Sequence, residues 1–396
     1  MGRDAISKSL SHVPSRDATD RAAPPRGVAP LPDTPMSLSG ASPPPRRRPT
    51  LHDVAQLAAV STKTASRVVN GEGNVDPELA RRVREAAETL DYRPNLIARN
   101  LRRNDGATHT IGVVLFDVAN AFSSSLQRAI EDVASRRRIV VVSSSVDEDP
   151  QRERDNALAL IERQVDGLIV VPAGDDQSYL APDQRRGLKV VFVDRRPQLL
   201  RADAIVGDNR GGAYRATTHL IEHGHRRVAF LGDRDYIGTL RERRRGYLDA
   251  LDDAGLTSDD RWIITNLHTR EAVDRAVRAL FSADPPTALF TAQNLITIET
   301  IRTLKSLGLH DCVALVGFDD FDTADLLQPA VTVVAQDPKA MGTRAAELLL
   351  TRIDGSTEPV STQIVPVELI VRGSGELVPA LEEIARRTGA RELEGA

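Results

Sequence analysis

One cysteine, Cys312, stands alone in 396 residues. No disulfide can form within the chain, which fits a reducing compartment. Cys312 opens the apolar run "CVALVGF", so its thiol reads as a buried structural group rather than a nucleophile. Aromatic residues are only 4% of the chain and there is one Trp. Cores must therefore rest on Val, Leu, Ile and Ala. No run approaches the roughly 18 apolar residues of a membrane-spanning helix, and the start lacks the apolar segment of an export signal. Neither a membrane protein nor an exported binding protein is expected. There is also no phosphate-cradling loop, and "GDNRGG" has its glycines misplaced for a dinucleotide turn. With no catalytic constellation either, a Rossmann-like enzyme is disfavoured and no cofactor is expected. Asp319, Asp320, Asp322 and Asp325 cluster in sequence, but no His or second acidic motif joins them. No metal site is expected.

What is present begins with charge. The net charge of −4 hides an imbalance: residues 46–103 carry 12 Lys/Arg against 7 Asp/Glu, which leaves −9 on the rest. A basic end on an acidic body points to a polyanion partner for that end alone.

Residues 1–49 are rich in Pro, Ser, Arg and Asp. They cannot bury a core and are expected to be disordered. From Thr50 the pattern turns helical. Thr50 and Asp53 have capping-box spacing, and Leu51, Val54, Ala55 and Ala58 share one face. Ser61 can cap a second helix, "STKTASRVVN". Asp76 and Pro77 open a third, with Leu79, Val83, Ala86 and Leu90 as its apolar stripe. Residues 50–94 therefore make a small all-helical domain. The second helix is poor in propensity, crowded with β-branched residues and serines. Val60, Ala65, Val68 and Val69 give it a narrow apolar stripe. Thr62, Lys63, Ser66, Arg67 and Asn70 share the other face, at i, i+3 and i, i+4 spacings. All five hydrogen-bond and none is acidic, which suits phosphates and base edges, the second helix of a helix-turn-helix being the one that lies in the major groove.

Beyond a basic stretch at 95–110, residues 111–375 alternate strand-length apolar runs ("IGVVLF", "RIVVVSSSV", "DGLIVV", "KVVFVD", "RRVAFLG", "PTALFT", "CVALVGF") with amphipathic helices at 121–137, 150–163, 209–222, 241–254, 269–281 and 294–307. Continuous apolar strands mark buried parallel sheet. There are too many for one compact sheet. Two doubly wound α/β lobes are expected, with a ligand at the strand C-termini between them. Residues 376–396 read as a C-terminal tail.

The stretch "TLHDVAQLAAVSTKTASRVVNGEGNVDPELARRVREAAETLDYRPNLIARNLRR" resembles the DNA-binding head of the LacI/GalR family of bacterial transcription regulators. The similarity continues through "VDGLIVVP", "VDRRP", "VGDNRGGAYRATTHLIEHGHRRVAFLG", "RERRRGY", "VGFDD" and "MGTRAAELLL" to "ELIVRGS", covering about residues 50–374. The resemblance implies that Thr62 and Lys63 read bases, and that Thr64, Ser66, Arg67 and Asn70 add base or phosphate contacts. It implies a hinge helix at 95–103, with Leu101 wedged into the minor groove. It implies a body like the periplasmic sugar-binding proteins, whose effector is held by Phe122, Asp194, Arg243, Gln293 and Asp319. Two departures are visible. Ala59 stands where the family usually has Gly, and Gln293-Asn294 stands where it usually has Asn-Asp. The function implied is a cytoplasmic, sequence-specific regulator, a repressor, acting as a homodimer or larger on palindromic operator DNA. A small-molecule effector, a sugar or sugar derivative, would set its DNA affinity.

Overall fold

The computed structural model describes residues 47–71, 75–93, 107–282 and 284–389. The expected disordered tail falls almost wholly outside them, as do the hinge and Leu101. The chain divides into two compact units, 1–94 and 95–396.

In the first unit, helices α1 (Leu51–Leu57), α2 (Thr62–Val69) and α3 (Pro77–Thr89) surround a core of Val54, Ala55, Ala58, Ala65, Val83 and Ala86. The capping box forms as expected, with Thr50 and Asp53 exchanging bonds. Asp76 caps α3 through the Glu78 and Leu79 amides, with Pro77 in the first turn. Within α3 the buried positions are Ala80, Val83 and Ala86; Leu79 and Leu90 are only half-buried. Close helix contact here favours the small side chain. Helix α3 also ends before Pro94, at a left-handed Asp91 (φ 46°). The α1–α2 turn is a Schellman motif. Ala59 donates to the Gln56 carbonyl at 3.1 Å and Val60 to that of Ala55 at 3.0 Å. Its left-handed position is occupied by Ala59, at φ 50°.

The second unit contains two six-stranded sheets. The first lobe holds β1 (Thr110–Leu115), β2 (Val140–Ser145), β3 (Gly167–Val170), β4 (Lys189–Asp194), β5 (Asp203–Gly207) and β11 (Thr362–Val365), in the order β11-β5-β4-β3-β1-β2. The second holds β6 (Val228–Leu231), β7 (Ile263–Ile264), β8 (Ala288–Thr291), β9 (Ala314–Phe318), β10 (Thr332–Ala335) and β12 (Glu368–Ile370), in the order β12-β10-β9-β8-β6-β7. All pairings are parallel except β10–β12. Central strands are buried on both faces, so their runs show no alternation.

The helices between are α4 (Ala121–Arg136), α5 (Pro150–Glu162), α6 (Ala181–Arg185), α7 (Asn209–Glu222), α8 (Gly238–Asp253), α9 (Arg270–Leu280), α10 (Asn294–Leu307) and α11 (Pro338–Ile353). The chain passes between the lobes three times, after β5, β10 and β11. This returns α11 to the first lobe, where Met341, Ala345, Ala346 and Leu349 complete the core built by α4. Each lobe has one close helix pair made possible by glycine. A Cβ on Gly342 of α11 would stand 2.5 Å from the Leu126 carbonyl oxygen of α4. One on Gly246 of α8 would stand 2.1 Å from that of Arg210 in α7.

The stretch expected as a C-terminal tail is, to Thr388, part of the second lobe. Helix α12 (Leu381–Thr388) buries Ile384 completely in that lobe's core. The amphipathic stretch "LEEIARRT" is a usable signal for it. His225 is buried between the Thr287 hydroxyl (2.9 Å) and the Leu377 carbonyl (2.7 Å), so it helps fasten this segment. Cys312 is buried and free.

Candidate nucleic-acid interface and ligand cleft

On α2, Ala65 is fully buried and fixes which face turns outward. Thr62, Lys63 and Arg67 are exposed, and Ser66 and Asn70 are half-exposed. Asn70 donates to the Ser66 hydroxyl at 3.2 Å, an i, i+4 pair that orders the end of this face. Thr64 differs from the other five. Its amide is capped by Ser61 at 3.1 Å and its hydroxyl lies 2.9 Å from the same oxygen, so it is half-buried and engaged in the helix start. No acidic side chain lies on α2.

In the second unit, a cleft between the lobes is lined by residues from the C-terminal ends of β1, β3, β4, β6, β8 and β9 and the helix starts that follow. That is where open parallel sheets hold ligands. All five expected effector residues line it: Phe122, Asp194, Arg243, Gln293 and Asp319. Arg243 is the one arginine of its four-arginine helix that is buried, at 4% exposure. It donates to Asn209 Oδ1 (2.8 Å), the Ala292 carbonyl (2.7 Å) and Asp319 Oδ2 (3.1 Å), over the Phe318 ring. Asp319 also accepts from Gln336 Nε2 at 2.8 Å.

Asp194 and Asp319 occupy matching places. Asp194 ends β4 and Asp319 directly follows β9, each the third strand in its sheet order. Each is 8% exposed and each has φ 69°. Left-handed backbone at a non-glycine residue is strained and tends to gather at functional sites. Burial pushes the Asp194 carboxyl above the usual range, against the pull of Arg195 and Arg243. Asp233 is raised too, by burial and then by Glu148. Burial alone would lower Arg195, but its fork onto Glu148 outweighs this and holds it high.

Sequence reasoning missed Arg195, Glu148, Asp233, Asn120 and Gln336, and reached Asn294 only as the neighbour of Gln293. Arg195 follows Asp194 in "VDRRP", which is a usable signal. Glu148 and Gln336 stand in loops whose sequence carries no period. Among the acids near β9, Asp320 is engaged by Arg372 at 2.7 and 2.6 Å. Among the described residues no group of His, Cys, Asp and Glu could hold a metal ion. No helix among them is long and apolar enough to cross a membrane.

Residues 50–95 match the family described as bacterial regulatory proteins, lacI family, and residues 217–375 match a periplasmic binding protein-like domain. The HTH-type transcriptional repressor PurR of Photobacterium profundum is 30% identical over 329 residues, covering 82% of this chain and 98% of that protein. The chain belongs to the LacI family. A solved complex of the transcriptional regulator CelR with cellobiose is 30% identical, with TM-score 0.62, covering 83% of this chain and all of that one. A lac repressor dimer bound to operator and an anti-inducer shares the fold at TM-score 0.73 and 24% identity, over 83% and 99% of the two chains. As a LacI-family member the chain is a DNA-binding transcription regulator with a two-lobed ligand-binding body. Its relatives are regulators, not enzymes.

Proposed function

We propose that this LacI-family member is a cytoplasmic repressor that reads a palindromic operator as a homodimer. Thr62 and Lys63 select the operator sequence. Ser66, Arg67 and Asn70 add affinity through phosphate or base contacts, Thr64 chiefly secures the start of the reading helix, and Leu101 of the hinge wedges the minor groove. The effector is a carbohydrate held by Phe122, Asp194, Arg243, Gln293 and Asp319. The observation that carries this reading is the convergence of two carboxylates and one arginine, from strand ends and a helix of both lobes, on one cleft. Carboxylates accept hydroxyl protons while a guanidinium donates, which suits adjacent sugar hydroxyls. Complexes of relatives with sugars support the class.

Selection of bound sequences from a random DNA pool tests the first half. A palindromic consensus that changes in Lys63→Gln is expected; uniform weakening on all sequences by that variant refutes the assignment of Lys63 to base reading. A thermal-shift screen of sugars against the full chain tests the second. Bound sugar and operator must alter each other's affinity by the same factor.

A further inference from the structure

Two asparagines, one from each lobe, face each other across the cleft. Asn120 caps α4 in the first lobe and Asn294 opens α10 in the second. Asn120 Nδ2 donates to Asn294 Oδ1 at 3.2 Å, and Asn294 Nδ2 donates back to Asn120 Oδ1 at 3.4 Å. The two are 8% and 4% exposed. Asn120 Oδ1 also accepts the Phe122 amide at 3.0 Å, which fixes the orientation of its amide plane. The Asn120 side chain is thus held by its own helix start, and each amide is bonded by the one on the other lobe. Pulled apart in a closed cleft, they would leave buried donors and acceptors unpaired, which is costly. The Tyr236 hydroxyl also donates to the Glu148 carbonyl at 3.3 Å, a further single bond between lobes.

We infer that Asn120 and Asn294 form a reciprocal amide clasp that holds the lobes closed without effector. They are positioning residues: the effector does not have to supply closure, and it binds by opening the clasp or settling beside it. The functional meaning rests on the cleft being the effector site. The clasp itself does not, because it is tested with no effector present.

The experiment is a distance measurement between spin labels on the two lobes of the full chain. Labels go at exposed Glu162 and Glu271 with Cys312→Ala, diluted with unlabelled chain so that only distances within one molecule are read. In the parent a single narrow population is expected. Asn120→Ala, Asn294→Ala and the double variant should each reduce the closed-to-open ratio about thirtyfold, the effect of two ordinary hydrogen bonds. The double variant should open no further than either single one. Asn294→Asp, of the same shape, sets a carboxylate oxygen against Asn120 Oδ1 in place of the second bond and should also shift the ratio toward open, which separates loss of the clasp from loss of packing. A parent that is already open, single variants indistinguishable from it, or a double variant that opens by the sum of the singles would each overturn the clasp. If the clasp holds but no sugar shifts the thermal midpoint, the carbohydrate assignment fails and the clasp does not.

Discussion

Replacing Ala59 by glycine should stabilise the head while leaving its operator unchanged. The left-handed position of the α1–α2 Schellman turn is required by the two bonds that close it, Ala59 to Gln56 and Val60 to Ala55. A Cβ at φ 50° costs about 1–2 kcal/mol. Glycine removes that cost but loses roughly 0.5–1 kcal/mol to the greater freedom of the unfolded chain. The net gain is about 0.5–1 kcal/mol, or roughly two- to fivefold in the opening equilibrium. Hydrogen exchange in the full chain reads this directly. The amides of Val54, Ala65 and Val83, whose side chains form the head core, should exchange two- to fivefold more slowly in Ala59→Gly. Asp91→Gly, at the equivalent turn after α3 (φ 46°), should gain less, because Asp tolerates this backbone region better than Ala. Ala59 is exposed and lies off the reading face, so selected operators should be the same. Unchanged or faster exchange in Ala59→Gly would show that the strain is not there.

Arg243→Lys should weaken binding of a sugar effector by tenfold or more in calorimetry, since an ammonium cannot reproduce the fork that spans Asn209, Ala292 and Asp319; the charge is kept, so loss of charge cannot be the explanation. Asp194→Asn should raise the thermal midpoint of the effector-free chain at pH 7 and weaken the effector. The sign follows from the raised Asp194 carboxyl: its stability contribution is complete below the ordinary Asp value of about 4 and is lost as pH rises through the higher folded value. The advantage of the Asp194→Asn variant over the parent should therefore shrink as pH falls toward 4, and a gap that widens on acidification would contradict it. Asp203→Asn should lower the midpoint of the first lobe, because it weakens the buried fork from Arg352 at 2.8 and 3.0 Å; an unchanged midpoint would show that pair to be neutral.

The head and the central strands were legible because their signals are local. Thr50 with Asp53, and Asp76 with Pro77, specify helix starts through their own side chains. The run "KVVFVD" is apolar throughout because β4 is covered on both faces. The strands that escaped notice are β5, β7, β10, β11 and β12, of which β5 and β10 are buried and lie inside their sheets. β11 is exposed along most of its length, and β7 has two residues. The helix α11 was not among those read from the sequence, and its place in the first lobe depends on a second crossing between lobes, which no local period encodes. The five cleft residues were reached through resemblance, and Arg243 shows why: on composition it is one arginine among four, and only the geometry of α8 buries it.

Why the cleft should be expensive to build follows from the same residues. Asp194 and Asp319 carry strained backbone, and Asp194 pays further in burial that its neighbouring arginines do not fully offset. A sequence selected only for folding would place Gly or Asn at the ends of these strands. The left-handed turn swings each carboxylate off its sheet and into the space between lobes, which an extended residue there would not do. Both lobes repeat the device at the same strand position. The repeated cost at one cleft, with a buried arginine between the two carboxylates, is what a hydroxyl-bearing ligand would recover on binding. Replacing Asp194 by asparagine should then yield a more stable body that answers less well to its effector, whereas Asp319→Asn, which weakens the buried pair with Arg243, should lower its stability as well.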